Sequence, residues 1–388
     1  MTTREESDFN PSHRFNRGHG SFHPPMRRGG LQEKRFVTQS SNDVRKAVKP
    51  AAGIGCFLLL VAVLTVAAHR NCEPLLASSS VSTAPDPKPG HAVSSPKGGM
   101  AAHYALSDIR RNKLFRPSPV IRGKIKETEI SGIAASHQRK YLFWGLQDSG
   151  NGSLLYLYEA RNAKLLATFH LESIDNNDWE ELQSLSDDAG KHYLIIADTG
   201  SNWEAETGHQ LFILEEPPIK RSPKTINLQS DITTFNLRYP DSPRNCEAFI
   251  VDPGTHALYL FSKELYETHV YYSDKFSLKE DRTDTLQLLG TLPLTMIVAA
   301  DISDDGNEIL LKSYHKVYYW RKNPGASLRE TLFEAPHRLP YKPIELKGES
   351  ICWYNKNYLT LSEEGDAVLY EYRRRGSSTI HSQRTNDE

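Results

Sequence analysis

The chain predicts an all-β protein, a five-bladed β-propeller closed by an N-terminal strand and preceded by one transmembrane helix. Three observations point to it. From residue 116 to 373, short runs of β-branched and aromatic residues are broken by Gly, Asp, Asn and Pro, and no long stretch has a helical period. Five segments, "SGIAAS", "EELQSL", "EAFIVD", "ADISDD" and "ESICWY", align on Ile133, Leu182, Phe249, Ile302 and Ile351 at intervals of 49, 67, 53 and 49 residues, close to the length of a propeller blade. The last unit lacks a fourth strand, while "PVIRGKIK" at 119–126 has no other partner, so joining the two closes the ring.

In chain order, residues 1–50 are rich in Arg, Lys, Ser, Asn, Gly and His and poor in large apolar side chains, so burial cannot offset their ordering entropy and they read as a disordered cytosolic tail. Residues 51–69 hold an uncharged apolar run long enough to cross a hydrocarbon core of about 30 Å as a helix. The long preceding tail argues for an uncleaved signal anchor. Arg45, Lys46 and Lys49 on the near side put the N-terminus in the cytosol, a single-pass type II arrangement with the rest in a secretory lumen, a periplasm or outside the cell. Residues 70–115, Ser-, Pro- and Gly-rich in their first part, read as a stalk, and 374–388 as a second disordered tail.

Within 116–373 each first strand is followed by a second ("YLFWGLQD", "HYLIIAD", "ALYLFSK", "EILLKSY", "NYLTLSE") and a third ("LLYLYE", "QLFILEE", "HVYYSD", "KVYYWR", "AVLYEY"). Fourth strands are "KLLATFHL", "ITTFNLRY", "DTLQLLGTL" and "LRETLFEA", and the long second interval fits an insertion around "EPPIKRSPKT". A β-sandwich also suits short strands, but not five similar four-strand units. Six blades would require further structure within 101–126.

The net charge of -1 gives no whole-chain attraction to nucleic acid, and none is expected as a partner. Cys72, just past the apolar run, suits a disulfide between two chains, whereas Cys246 and Cys352 lie in apolar runs and read as buried thiols. Asn151-Gly152-Ser153 is an N-glycosylation pattern in a eukaryotic secretory compartment.

In a propeller, the starts of first strands and the ends of second strands meet at one mouth of the central channel. That rule gathers Glu129, Glu180, Glu181, Glu247, Asp301 and Glu349 with Asp148, Asp198, Lys263, Glu264, Glu363 and Glu364. Carboxylates this close raise one another's pKa values unless a cation sits among them. Hard oxygen ligands suit Ca²⁺, so Glu180, Glu181, Glu247, Asp301 and Glu349 are the expected metal ligands. The same residues also suit a network of caps and ion pairs with Lys263, Arg244 and Lys312.

The loops "DSGNG" and "DTGSN" are tight turns that place Asp148, Asn151, Asp198, Asn202 and Trp203 on the acidic face, where they could contact a ligand. "DISDDGNEILLK" begins like a helix-loop-helix calcium loop, but Lys312 replaces the twelfth-position Glu and its surroundings are strands, so it reads as a hairpin. No nucleophile elbow, zinc-protease or phosphate-loop pattern occurs. His192, His269 and His315 lack ligand spacing and read as packing or surface residues.

The motifs "SGIAAS", "QDSGN", "DWEEL", "ADTGSN", "YPDSPRNCEAFIVDP", "ADISDDGNEILLKSY" and "GESICWY…YLTLSEE" resemble, in this order, a family of largely uncharacterised propeller-like proteins common in bacteria. The resemblance covers Glu129 to Glu364 and implies a propeller without carrying an activity. The anchored, lumenal plan is similar in architecture, not in motifs, to apyrase-type calcium-activated nucleotidases. The expected function is therefore binding of a ligand or protein partner at the acidic face around a divalent cation. The alternative is a metal-dependent hydrolase of phosphoesters, nucleotides or lactones, with Glu180 or Glu247 activating water.

Overall fold

The computed structural model describes residues 99–200, 208–222, 224–342, 347–362 and 367–376. The predicted tail, apolar span, Cys72, Asn202, Trp203, Glu363 and Glu364 lie outside them. Among the described residues no helix is long and apolar enough to cross a membrane.

Five antiparallel meanders form five blades. Their innermost strands are Ile130–Ala135, Trp179–Ser186, Ala248–Val251, Ile297–Ile302 and Ser350–Tyr354, numbered here blades 1 to 5. Each pairs with the strand that follows it, as the alternation of apolar runs and turn residues predicts. Large side chains fill the space between neighbouring blades. Trp144 and Phe169 of blade 1, for example, are buried with Leu194 and Phe212 of blade 2, each contributing about 1.5–3 kcal/mol by leaving water.

Blade 5 is completed by Val120–Lys124, antiparallel to Val368–Tyr372, so the expected closure is present. The other four blades each carry a fifth strand, added in parallel at the outer edge. Blade 1 takes Ile226–Leu228, which follows the expected insertion, and blade 2 takes Arg282–Thr285. Blades 3 and 4 take Met100–Ala101 and Arg110–Arg111 from the stretch assigned by sequence to the stalk. Residues 100–124 therefore lap successively over the rims of blades 3, 4 and 5. Gly290 makes the first lap possible: its φ is +151°, and a Cβ there would lie 1.8 Å from the Met100 carbonyl oxygen.

Two expectations are corrected. "LRETLFEA" is not a strand. Ser327 and Glu330 form a reciprocal capping box, and Leu328–Phe333 is a short helix whose Leu328, Leu332 and Phe333 are buried. The fourth strand of blade 4 is His337–Leu339.

The second correction concerns register. The innermost strands of blades 1, 2 and 4 each skip one residue in their pairing, between Ile130 and Gly132, Trp179 and Glu181, and Ile297 and Ala299. The skipped residues are Ser131, Glu180 and Val298. In blades 3 and 5 the same position, just before the first paired residue, is held by Glu247 and Glu349. Blade 4 thus presents Val298 where sequence alignment on Ile302 placed Ala300, and Asp301 lies three residues further along the strand.

Candidate functional site at the acidic channel mouth

A glutamate stands at the skipped position of blade 2 and just before the first paired residue of blades 3 and 5, and these three side chains converge. Glu180, Glu247 and Glu349 each offer an oxygen within 4.8 Å of the others, and Asp148, Asp178 and Glu180 do the same, with Glu180 shared. The exposures of Glu180, Glu247 and Glu349 are only 4%, 4% and 5%, which removes the water that would otherwise screen three carboxylates. Gly200 lets the two triads meet. A Cβ on it would fall 2.2 Å from Glu180 Oε1 and 2.3 Å from Asp178 Oδ2, so the glycine of "DTGSN" is required for space. The glycine of "DSGNG", Gly150, takes a φ of +78° as a turn glycine does.

Burial, reinforced by the carboxylates of Glu247, Asp148, Asp178 and Glu349, pushes Glu180 well above the usual carboxylate range. Burial also raises Asp148 to about 7 despite the backbone N–H of Ser149 on its side chain. Glu247 reaches about 8, because burial outweighs the ammonium of Lys263 beside it and Glu349 adds to the rise.

Lys263 is the base that enters the cluster. It donates to Glu247 Oε1 and stands 3.6 Å from Glu349 Oε1. Glu349 also accepts the Tyr314 hydroxyl. Arg244 instead pairs with Asp241 and Glu264, and Lys312 donates to the Gly348 carbonyl. Among the described residues, one ammonium enters this group of five carboxylates. Glu247 Oε1 further accepts from Asn245 Nδ2 at 3.0 Å, whereas Glu247 Oε2 and Asn245 Oδ1 are buried with no hydrogen-bond partner. Buried oxygens without donors are costly, about 1–3 kcal/mol each, unless a cation or water completes them.

Not every predicted residue joins this group. Glu181, one position past Glu180, is fully buried below the mouth and accepts the backbone N–H groups of Leu182 and Ala300. Asp301 accepts those of Ile302 and Trp353, tying blade 4 to blade 5. Both are backbone staples in the structure, and they stand apart from the two triads. Asp198 accepts Asn177 Nδ2, Asp178 N and Gln210 Nε2, which fixes the turn carrying Asp178. Asn151 donates to Glu129 Oε2 and to the Asp148 carbonyl, bracing its own loop. Sequence reading did not single out Asn245 and Tyr314. Asn245 is two residues before Glu247, and Tyr314 directly follows the second strand of blade 4, the positional signal that found Lys263.

Oxygens this near to one another can share one divalent cation, and an all-oxygen set suits a hard ion such as Ca²⁺ or Mg²⁺.

No family model and no curated protein matches the chain. Among solved structures it is similar to the PQQ-bound aldose sugar dehydrogenase of Streptomyces coelicolor, at 6% identity and a TM-score of 0.39, covering 67% of this chain and 99% of that one. It is also similar to a glucose dehydrogenase (10%, TM-score 0.40, 66% and 99%). A third likeness is to the β-propeller domain of Cps50 (Swd1) from Myceliophteria thermophila (9%, TM-score 0.37, 66% and 99%). None of these likenesses bears on the chemistry of the acidic mouth, which rests on its own side chains.

Proposed function

We propose that the acidic mouth holds a divalent cation, Ca²⁺ by its all-oxygen ligand set, and that the propeller uses it to bind a ligand or partner above the channel. The observation that carries this reading is the Glu247 carboxylate: it is buried, one oxygen has no donor, and it lies within 4.8 Å of Glu180 and Glu349. A cation there would complete the orphaned oxygens and release the protons that burial holds on Glu180, Glu247 and Asp148. We further propose that residues 51–69 anchor the chain as a type II protein with the propeller in a lumen, a periplasm or outside. The uncharged run and its basic near flank support that placement.

A hydrolytic reading is favoured by one feature. Glu180 belongs to both triads, so a cation bound by either would lower its pKa and leave a carboxylate beside the metal, a suitable base for a water molecule. Metal analysis of the full chain and of Glu247→Gln and Glu349→Gln tests the cation. One bound Ca²⁺ lost in both variants supports it, and equal metal content in all three rejects it. A screen of nucleotides, phosphoesters and lactones with and without Ca²⁺ then separates turnover from binding.

A further inference from the structure

The channel has a second end, and its chemistry is the reverse of the first. There the ends of the first strands and the starts of the second strands enclose a cavity of about 1070 Å³. Its wall carries a chain of hydrogen bonds drawn from three blades. His137 of blade 1 sets Nε2 3.3 Å from Asp304 Oδ1 of blade 4 and Nδ1 2.7 Å from Ser186 Oγ of blade 2. Ser186 Oγ also lies 2.8 Å from His192 Nδ1.

A hydroxyl has one proton, so Ser186 donates to one imidazole and the other must donate to it. His137 donates from Nε2 to the Asp304 carboxylate, and as an imidazolium it would donate from Nδ1 to Ser186 as well. The surrounding charges agree: burial opposes protonation of His137, but the hydrogen bond and charge of Asp304, with Glu216 and Asp301, raise its pKa.

The rest of the lining is unbalanced. Asp304 is engaged by His137, Asp305 by Ser303 and the Asn307 N–H, and Glu308 by Arg374 through both oxygens. Lys140, Arg321, Lys322 and Lys356 also line the cavity, and among the described residues none of them has a carboxylate partner. Asp305 has only neutral partners, so these four cations outnumber the unpaired carboxylate, and their excess focuses a positive potential into the concave surface.

We propose that this cavity binds a small molecule through an anionic group, a phosphate or a carboxylate. The experiment is calorimetric titration of the full chain in detergent at low salt with two probes, inorganic pyrophosphate and citrate. Saturable binding of either supports the site and tells the two groups apart; binding of neither at about 10 mM overturns it. Lys140→Glu combined with Lys356→Glu should weaken binding about tenfold or more, whereas unchanged affinity overturns the assignment. Glu247→Gln should leave the anion affinity as it is, which distinguishes this site from the acidic mouth. If the double variant does not fold, protection of Lys140 and Lys356 from acetylation by the bound probe reads the same contact. Protection supports the site, and equal labelling overturns it.

Discussion

Glu181 of blade 2 accepts the backbone N–H of Ala300 of blade 4 at 3.0 Å, so one carboxylate joins two blades that are not neighbours in the ring. Its other oxygen accepts the N–H of Leu182, also at 3.0 Å. The side chain therefore closes the channel beneath the acidic mouth while satisfying two backbone donors. Burial outweighs those two bonds and pushes its pKa well above the usual carboxylate range.

Glu181→Ala leaves two buried N–H groups without acceptors, at about 1–3 kcal/mol each. Glu181→Gln keeps the shape and an acceptor oxygen, so it should lose less than half as much. Urea denaturation of both variants checks this, and an Ala variant as stable as the parent would show that the staple contributes nothing.

Stability should fall as pH rises when no divalent cation is present. Asp148 and Glu247 are raised in the folded state to about 7 and about 8, chiefly by burial, so the folded chain holds protons that the unfolded chain has given up. That proton-linked stability is complete below the ordinary carboxylate range near about 4, and it is lost as pH climbs through the folded values. Ca²⁺ replaces those protons, so it should raise the melting temperature more at pH 8 than at pH 5.5. Thermal melts in chelator and in Ca²⁺ at the two pH values test this, and equal Ca²⁺ effects at both would contradict it.

Lys263→Met separates a cation site from a closed ion-pair network. Removing the ammonium leaves Glu247 and Glu349 buried beside uncompensated charge, a loss of about 3–5 kcal/mol at pH 8 in chelator. With a cation site present, Ca²⁺ restores most of that loss and binds more tightly than in the parent. Stability that stays low at saturating Ca²⁺ would assign the cluster to the network.

The ring was legible because each blade repeats one apolar rhythm, and its closure because one strand was missing at the end and one was spare at the start. The edge strands were not legible, since Met100–Ala101 and Arg110–Arg111 are two residues each and carry no period. "LRETLFEA" misled because its apolar residues also suit a strand, and the capping box before it decides for helix. Position along the blades was enough to group Glu180, Glu247 and Glu349, which the structure brings together. Glu181 and Asp301 stand apart from that group, because a one-residue skip in pairing reverses which neighbour faces the axis. The His137 chain was missed entirely. Its members come from three hairpins with no spacing to announce them, and only the folded ring brings Asp304 to His137.

Val120–Lys124, the strand that completes blade 5, has a further consequence for how the protein is made. Arg122 and Glu371, which pair across this seam, are 249 positions apart. At roughly 5–20 residues per second, a ribosome delivers the second about ten to fifty seconds after the first. During that wait the nascent chain carries an unmated strand, and the mature domain can form only after translation has reached blade 5. A transcript truncated before residue 368 would lack Val368–Tyr372 and leave Val120–Lys124 without the strand it pairs with, an open ring that is a substrate for chaperones and proteases.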